Sequence, residues 1–255
     1  MEHRRIVIGD VHGHYDGLMT LLEALALGWD DRVYFLGDLI DRGPKSAQVL
    51  EFVKESSYQT LLGNHEQLML NALVDGLTDA RSSWQAWLCS GGDTTIDSYI
   101  ETGMMPYKHL EWMRSLPTHL DLGDIWLVHA GVHPTIPIDQ QSSEQLCWIR
   151  KEFHNISQPY FPDKLIITGH TITFTFEGVR PGELVRGQGW LDIDTGAYHP
   201  KSGWLTGFDL NYRRVYQVNV FNNQVRILPF DELVRPMKSQ LIPLPKSVLS
   251  RVYSE

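Results

Sequence analysis

One arrangement recurs along this chain: a short apolar run ends in a side chain that can bind a metal, with a glycine beside or near it. It occurs five times, and apolar runs of this kind, punctuated by glycine, are typical of buried strands. In open α/β sheets, ligands bind outside the carboxyl ends of the strands. We therefore expect an α/β fold in which five strand ends bring polar side chains to one edge. These side chains are Asp10, Asp38, Asn64 with His65, His129 and His170.

The most crowded strand end is residues 37–43, which read Gly-Asp-Leu-Ile-Asp-Arg-Gly. Neither core packing nor turn formation requires two carboxylates and a guanidinium so close together. From the residues alone, we infer that Asp38 binds a metal and that Arg42 binds an anion. Asp41 then pairs with a group elsewhere in the chain.

The two halves of the chain differ in their pattern. Helical patterns separate the strand ends in the first half, whereas the second half is mostly strand-like, with Gly, Asn and Pro turns. Residues 171–176 alternate as a half-exposed strand should. We predict a catalytic domain over residues 1–228, with a helical insertion at about 80–116, and a proline-punctuated tail over 229–255. The insertion follows closely on residues 63–66 and could roof the site; its tryptophans are interpreted as ordinary core residues.

Bulk composition excludes several classes of protein. The 255 residues are 42% hydrophobic, which supports a large core, but no stretch approaches the ~20 apolar residues of a membrane span. A formal net charge of −9 argues against broad binding to nucleic acid. The first apolar run is too short for a signal peptide, and the two cysteines have no metal-binding or redox spacing. We expect a cytoplasmic protein that binds neither membrane nor nucleic acid; its oligomeric state is not indicated.

The candidate metal ligands are all oxygen or imidazole donors, which suits Mn, Fe, Zn or similar ions. They are too many for one catalytic ion that keeps open positions, but they suit two ions about 3.5–4 Å apart that share a carboxylate. We therefore predict two divalent ions, with Asp38 as the natural bridge. The donors do not choose among these metals; our expectation is Mn²⁺, with Fe or Zn as alternatives. The candidates are Asp10, His12, Asp38, Asn64, His129 and His170.

Such a cluster favours phosphate chemistry. Two divalent ions bound by two aspartates keep a net positive charge, which favours a hydroxide and a phosphate dianion, and Arg42 could clamp that phosphate with two hydrogen bonds. The ions activate water for in-line attack, so no nucleophilic side chain is required. His65, next to Asn64, is the candidate general acid. Asp41 is its candidate partner, because a carboxylate both orients a histidine and stabilises its cation.

Five short motifs are spread over roughly residues 6–220: Gly-Asp-Val-His-Gly at 9–13, the 37–43 segment, Gly-Asn-His-Glu at 63–66, His-Ala-Gly at 129–131 and Gly-His-Thr at 169–171. As a set they resemble the motifs of the metal-dependent phosphoprotein phosphatases, a family of the calcineurin-like metallophosphoesterase superfamily. Within that family, the sequence is most similar to the bacterial and phage-type serine/threonine phosphatases.

This resemblance implies a four-layer α/β/β/α sandwich, in which helices flank two mixed β-sheets. It implies Asp10, His12 and Asp38 on one ion, and Asp38, Asn64, His129 and His170 on the other. It also implies His65 as the acid, Asp41 as its partner, and a phosphate site formed by Arg42, Asn64 and Arg150. The expected reaction is hydrolysis of phosphate monoesters, chiefly phosphoserine and phosphothreonine in proteins, and phosphotyrosine as well.

A sister group, the symmetrical dinucleoside tetraphosphatases, shares most of these motifs. It tends to lack the aspartate at position 41 and to have aspartate where Glu66 stands, so this sequence favours phosphomonoesters. Two alternatives remain: hydrolysis of dinucleoside tetraphosphates or other nucleotide polyphosphates, and a non-catalytic binding protein on the same fold. One departure from the family pattern is a longer turn at residues 198–204, which we expect to alter the rim of the substrate groove.

Overall fold

Two β-sheets pack face to face, with helices on both outer faces, in a computed structural model that describes residues 3–75 and 80–237. The predicted four-layer α/β/β/α sandwich is confirmed. The strands are β1 (Arg5–Ile8), β2 (Arg32–Phe35), β3 (Gln59–Thr60), β4 (His119–Asp121), β5 (Ile125–Val128), β6 (Leu165–Thr168), β7 (Leu184–Arg186), β8 (Trp190–Asp192), β9 (Trp204–Asp209), β10 (Arg214–Asn219), β11 (Val225–Pro229) and β12 (Val234–Pro236).

Each sheet contains three parallel strands, and the candidate metal ligands follow these strands. The first sheet has the order β11-β10-β9-β1-β2-β3, and the second has the order β12-β7-β8-β6-β5-β4. Strands β1, β2 and β3 run parallel to one another, as do β5, β6 and β8. Their carboxyl ends therefore meet at common edges, as the sequence pattern predicts.

Alternation along the strands separates the core into layers. In β1, Ile6 and Ile8 face the helices, whereas Val7 lies in the cluster between the two sheets. In β5, Leu127 lies in that same central cluster, whereas Trp126 packs on the opposite face of its sheet. Because side chains of a strand point to opposite faces in turn, each sheet buries one face on the other sheet and one on helices.

The helices are amphipathic and cover the sheets. Leu18, Leu21 and Leu25 of α1 are spaced along one helix face and are buried against the first sheet. Among the described residues, no helix is long and apolar enough to cross a membrane. The helices are α1 (Tyr15–Leu25), α2 (Ser46–Glu55), α3 (Asn64–Leu70), α4 (Ala80–Trp87), α5 (Asp93–Thr102), α6 (Tyr107–Arg114), α7 (Ser143–Trp148), α8 (Lys151–His154) and α9 (Phe230–Leu233).

The insertion is helical, as predicted, and consists of α4, α5 and α6. A π-helical turn, Leu88–Gly92, joins α4 to α5, and Gly91 within it has a left-handed backbone with φ of 101°. The insertion packs on α2 and α3. It therefore lies beside the ends of β2 and β3, next to the predicted site.

The strand predicted at residues 171–176 is wrong. Strand β6 ends at Thr168, and a 3-10 turn spans Thr173–Thr175. The backbone of His170 is left-handed, with φ of 69°, which ends the extended path. The Thr175 hydroxyl then donates to the Ile172 carbonyl at 2.7 Å, a local bond that competes with strand pairing.

The expected domain boundary after residue 228 also differs from the structure. Phe230 and Leu233 of α9 are buried in the core between the sheets, and β12 pairs in parallel with β7. The proline punctuation therefore marks a turn of the fold at this point. Residues 229–237 belong to the domain, and residues 238–255 of the predicted tail lie outside the described residues.

Candidate metal centre and active site

The six predicted metal ligands come together where the carboxyl ends of both sheets meet. Strands β1, β2 and β3 carry four of them, and β5 and β6 carry His129 and His170. All six are between 0% and 6% exposed. Two groups of ligand atoms each lie within 4.8 Å of one another, and Asp38 belongs to both. The groups are His12, Asp38 and His65, and Asp38, His129 and His170.

The geometry around His129 fits a cation. Its Nδ1 lies 2.8 Å from the Leu36 carbonyl oxygen, so Nδ1 carries the proton in the neutral ring. Burial lowers the pKa of His129, which favours that neutral form. Its Nε2 lone pair then lies 2.9 Å from Asn64 Oδ1 and 3.3 Å from Asp38 Oδ1. Electron-pair donors this close together repel one another. A metal ion bound by all three would remove that repulsion.

The same argument applies to His12, and His170 lies in the same cluster. His12 Nδ1 lies 2.9 Å from the Ile40 carbonyl, which leaves Nε2 as the electron-pair donor, 3.7 Å from Asp38 Oδ2. His170 Nδ1 lies 2.8 Å from Asn64 Oδ1. Burial lowers the pKa of both rings well below the usual value. Neutral imidazoles oriented by backbone carbonyls are typical of metal sites.

Buried carboxylates add negative charge at this point. Asp10 accepts from the His170 backbone N–H at 3.1 Å, and its pKa is raised well above the usual value by burial and then by Asp194 and Asp38. Burial also raises the pKa of Asp194, to about 6. Buried carboxylates of this kind are stabilised by bound cations. The donor set and its charge thus fit divalent metal.

His65 contacts Asp41, as predicted from the sequence. The distance from His65 Nδ1 to Asp41 Oδ2 is 2.7 Å, and both side chains are buried. Burial lowers the pKa of His65, but the charge of Asp38 and the bond to Asp41 outweigh this effect and raise the pKa overall. The His65 backbone N–H also donates to Asp38 Oδ1 at 3.0 Å. His65 is therefore held between Asp41 and Asp38, the predicted bridging ligand.

Two partners of Asp41 escaped the sequence analysis. Trp87 Nε1–H donates to both carboxylate oxygens, at 3.1 and 3.2 Å, and the Thr95 hydroxyl donates to Oδ1 at 2.7 Å. Trp87, interpreted as an ordinary core residue, is indeed buried, yet its ring nitrogen serves the site. The only sequence signal for these two contacts was that the insertion follows closely on residues 63–66.

Arg42 lies beside the first group of ligands. Its Nη1 is 3.0 Å from His12 Nε2, and its Cζ is 4.0 Å from the centre of the Tyr198 ring. Tyr198 also packs edge-on against His12, with 4.8 Å between ring centres. Tyr198 begins the longer turn at residues 198–204, so the departure from the family pattern reaches the predicted phosphate-binding arginine.

Arg150 lies at the other side of the site, at the beginning of α8. Its Nη1 donates to Thr171 Oγ1 at 3.0 Å and to the His170 carbonyl at 3.3 Å. The guanidinium side chain is exposed and stands next to a ligand histidine. The two arginines thus flank the ligand cluster, one beside His12 and the other beside His170.

Glu66 holds the backbone around Asp38. Its Oε2 accepts from the N–H groups of Asp38 and Gly63, both at 2.9 Å, and its Oε1 accepts from Leu39 at 2.8 Å. Burial and then the charge of Asp38 raise its pKa to about 7. Asp38 has a left-handed backbone, with φ of 49°, which is unfavourable for a residue with a side chain. Glu66 stabilises that conformation and is not placed to react.

The match to a family model establishes the class of protein. The model of the calcineurin-like phosphoesterases matches residues 3–196, so the chain belongs to that family. A metallophosphoesterase from Sphaerobacter thermophilus has the same fold, with a TM-score of 0.54, 19% identity and 98% of each chain covered. The ligand cluster around Asp38 fits the divalent-metal chemistry expected of this family.

Similar sequences carry two different names. Serine/threonine-protein phosphatase 2 of Escherichia coli K12 is 37% identical over 215 residues, which cover 80% of this chain and 91% of that protein. A symmetrical bis(5'-nucleosyl)-tetraphosphatase of Dechloromonas aromatica is 35% identical over 130 residues, or 50% of this chain and 43% of that protein. The matches to four such tetraphosphatases span 43% to 47% of their length.

Proposed function

We propose that this protein hydrolyses phosphate monoesters of proteins, chiefly phosphoserine and phosphothreonine and also phosphotyrosine, with two divalent ions, Mn²⁺ first among them. The observation that carries the proposal is the 2.7 Å contact between His65 Nδ1 and Asp41 Oδ2, two side chains buried beside the ligand cluster. A protonated imidazole beside the metal cluster is a general acid for a basic leaving group.

The leaving group distinguishes the two candidate substrates. A serine or threonine alkoxide is nearly as basic as hydroxide, whose conjugate acid has a pKa of about 15.7, so it needs a proton as it departs. In symmetrical cleavage of a dinucleoside tetraphosphate, the leaving group is a nucleoside diphosphate. It departs through an oxygen of its terminal phosphate, whose second pKa is about 6, so it needs no proton. A proton-donating pair of Asp41 and His65 is therefore useful for monoesters and dispensable for phosphoanhydrides.

Each named residue has a task in this reaction. The metals, when bound, activate water and neutralise phosphate charge. Asp10, His12, Asp38, Asn64, His129 and His170 would hold them. Arg42 and Arg150 flank the cluster and would orient the phosphate from two sides, as guanidinium groups do with two parallel hydrogen bonds. His65 Nε2 would deliver its proton to the departing oxygen, and Asp41 would keep the ring oriented and charged.

The deciding experiment compares kcat/KM for a phosphoserine peptide and for diadenosine tetraphosphate on Mn²⁺-reconstituted protein. We expect the phosphopeptide to be preferred, and His65→Asn to lose about 100-fold or more on it. The same variant should lose much less on the tetraphosphate. A preference for diadenosine tetraphosphate, or an equal loss on both substrates, would contradict the proposal.

Hydrolysis of dinucleoside tetraphosphates is the second candidate. It is favoured by the similarity to the symmetrical tetraphosphatases, which covers 50% of this chain for the Dechloromonas aromatica protein and 74%, at 27% identity, for that of Vibrio campbellii. The same comparison of substrates tests it. A metal titration tests catalysis itself: chelator-stripped protein should be inactive, and two equivalents of Mn²⁺ should restore turnover, whereas a non-catalytic binding protein would bind fewer ions and stay inactive.

A further inference from the structure

We propose that the helical insertion positions the Asp41–His65 pair, with Trp87 and Thr95 as positioning residues and Gly91 and Gly92 as the glycines that allow their approach. This inference rests on the proposed role of His65 as general acid. Neither tryptophan nor threonine would touch the substrate; both would act through Asp41.

The carboxylate of Asp41 is fully surrounded by hydrogen-bond donors. Oδ1 accepts from Thr95 at 2.7 Å and from Trp87 at 3.1 Å, and Oδ2 accepts from His65 at 2.7 Å and from Trp87 at 3.2 Å. Asp41 is 0% exposed, so these donors replace water completely. Two of its three donating side chains belong to the insertion, which therefore sets the direction in which Oδ2 meets the imidazole.

The insertion also holds the backbone that carries Asp41. The Asp41 N–H donates to the hydroxyls of Thr95 and Ser46, both at 3.0 Å, and the Arg42 N–H donates to the Gly91 carbonyl at 3.1 Å. Asp41 and Arg42 have left-handed backbones, with φ of 70° and 71°. Two consecutive residues of this kind are strained and persist only where surrounding bonds stabilise them.

Two glycines make this contact sterically feasible. A Cβ on Gly91 would lie 2.8 Å from Arg42 Cγ and 3.0 Å from the Arg42 nitrogen, and the φ of Gly91 is 101°. A Cβ on Gly92 would lie 2.5 Å from the Trp87 ring. Only glycine allows these approaches, so the turn between α4 and α5 is shaped to fit Arg42 on one side and Trp87 on the other.

Removing the Trp87 or Thr95 hydrogen bond should impair proton transfer specifically. Without the indole N–H or the threonine hydroxyl, the Asp41 carboxylate can rotate, and the imidazole loses its fixed direction towards the leaving oxygen. Metal ligands and the arginines would stay in place. The loss should therefore grow with the basicity of the leaving group, whereas a general loss of structure would affect every substrate alike.

The test is a series of aryl phosphates, from 2,4-dinitrophenyl phosphate to phenyl phosphate, on Mn²⁺-reconstituted protein. Trp87→Phe and Thr95→Val should each lose about 10-fold or more in kcat on phenyl phosphate and less than about 2-fold on the dinitrophenyl ester. The controls are Trp84→Phe and Thr95→Ser. Trp84 packs edge-on against Trp87 at 5.5 Å and is 37% exposed, whereas serine keeps the hydroxyl. Both controls should follow the wild type, with metal content unchanged throughout.

His65→Asn serves as the reference for losing the acid. If that variant depends more steeply on the leaving group while Trp87→Phe and Thr95→Val do not, the positioning role is wrong and the acid role stands. If His65→Asn keeps the wild-type dependence, the proposed acid itself is wrong. Should Trp87→Phe fail to fold, the Thr95→Val and Thr95→Ser pair decides, and an equal loss in these two variants overturns the inference.

Discussion

Replacing Tyr198 with leucine should weaken phosphate binding without removing any metal ligand. The Tyr198 ring centre lies 4.0 Å from Arg42 Cζ, within the range of a cation–π contact, and the side chain is half-buried. Such a contact stabilises by about 1–2 kcal/mol when partly desolvated, and its loss corresponds to about 5- to 30-fold in affinity. The inhibition constant for inorganic phosphate and the KM for a phosphopeptide should therefore rise by that factor in Tyr198→Leu, with a smaller change in kcat.

The matched control is Tyr198→Phe, which keeps the aromatic face and should stay within about 2-fold of the wild type. A double-mutant cycle with Arg42→Ala adds a direct test of the contact. In the Arg42→Ala background, Tyr198→Leu should cause little further loss, because the cation is already gone. An unchanged inhibition constant in Tyr198→Leu, or an equal loss in both backgrounds, would refute the idea that the ring orients Arg42.

Three further substitutions test other parts of the structure. Glu66→Gln should lower the free energy of unfolding by about 2–3 kcal/mol in urea and weaken metal binding by calorimetry, because glutamine has one acceptor oxygen for three buried N–H groups. His154→Phe should flatten the pH dependence of unfolding. Burial lowers the pKa of His154 from 6.5 to about 4. Between these two pH values, the unfolded chain binds a proton that the folded protein does not bind. The stability of the wild type therefore falls by about 3 kcal/mol as the pH falls through this range. Leu233→Ala should destabilise the domain by about 2–5 kcal/mol, since this side chain is 5% exposed in the core between the sheets.

Different results would count against each of these. Unchanged metal affinity in Glu66→Gln would mean that Asp38 does not depend on the Glu66 carboxylate. A pH dependence identical to the wild type in His154→Phe would mean that His154 is solvated in the folded protein. Stability within about 0.5 kcal/mol of the wild type in Leu233→Ala would place α9 outside the cooperative core.

The metal cluster was predictable because it depends on short-range patterns. Five of the six candidate ligands, all except His12, follow a strand-like run directly or after one glycine, and parallel strands bring their carboxyl ends together regardless of loop length. The contact between His65 and Asp41 was predictable for a chemical reason: a charged imidazole beside metal ions requires a carboxylate, and Asp41 was the one without another task. Local sequence and chemistry were thus enough to predict most of the candidate site residues.

The contacts from Trp87, Thr95 and Tyr198 were not predictable in the same way. They depend on how the helical insertion and the longer turn dock against residues 41–42, which is a tertiary property with no local periodicity. The indole N–H of Trp87 is invisible in a hydrophobic pattern, since a tryptophan that serves a carboxylate is as buried as any core residue. The wrong prediction of a strand at residues 171–176 has a similar cause. The left-handed backbone of His170 changes the direction of the chain, and an alternating sequence pattern does not show this change.

The candidate metal site lies where the two sheets meet, and this position has a consequence for the stability of the protein in a cell. Four of the six candidate ligands follow strands of the first sheet and two follow strands of the second, so an ion bound by Asp38, Asn64, His129 and His170 would link the two sheets. A ligand that binds only the folded state adds its binding energy to folding, about 4 kcal/mol at a thousandfold excess over Kd. Metal supply would then set how long each molecule survives proteolysis as well as how fast it turns over. A metal-starved cell would then contain less of the protein, because metal-free molecules would be degraded faster than metal-bound ones.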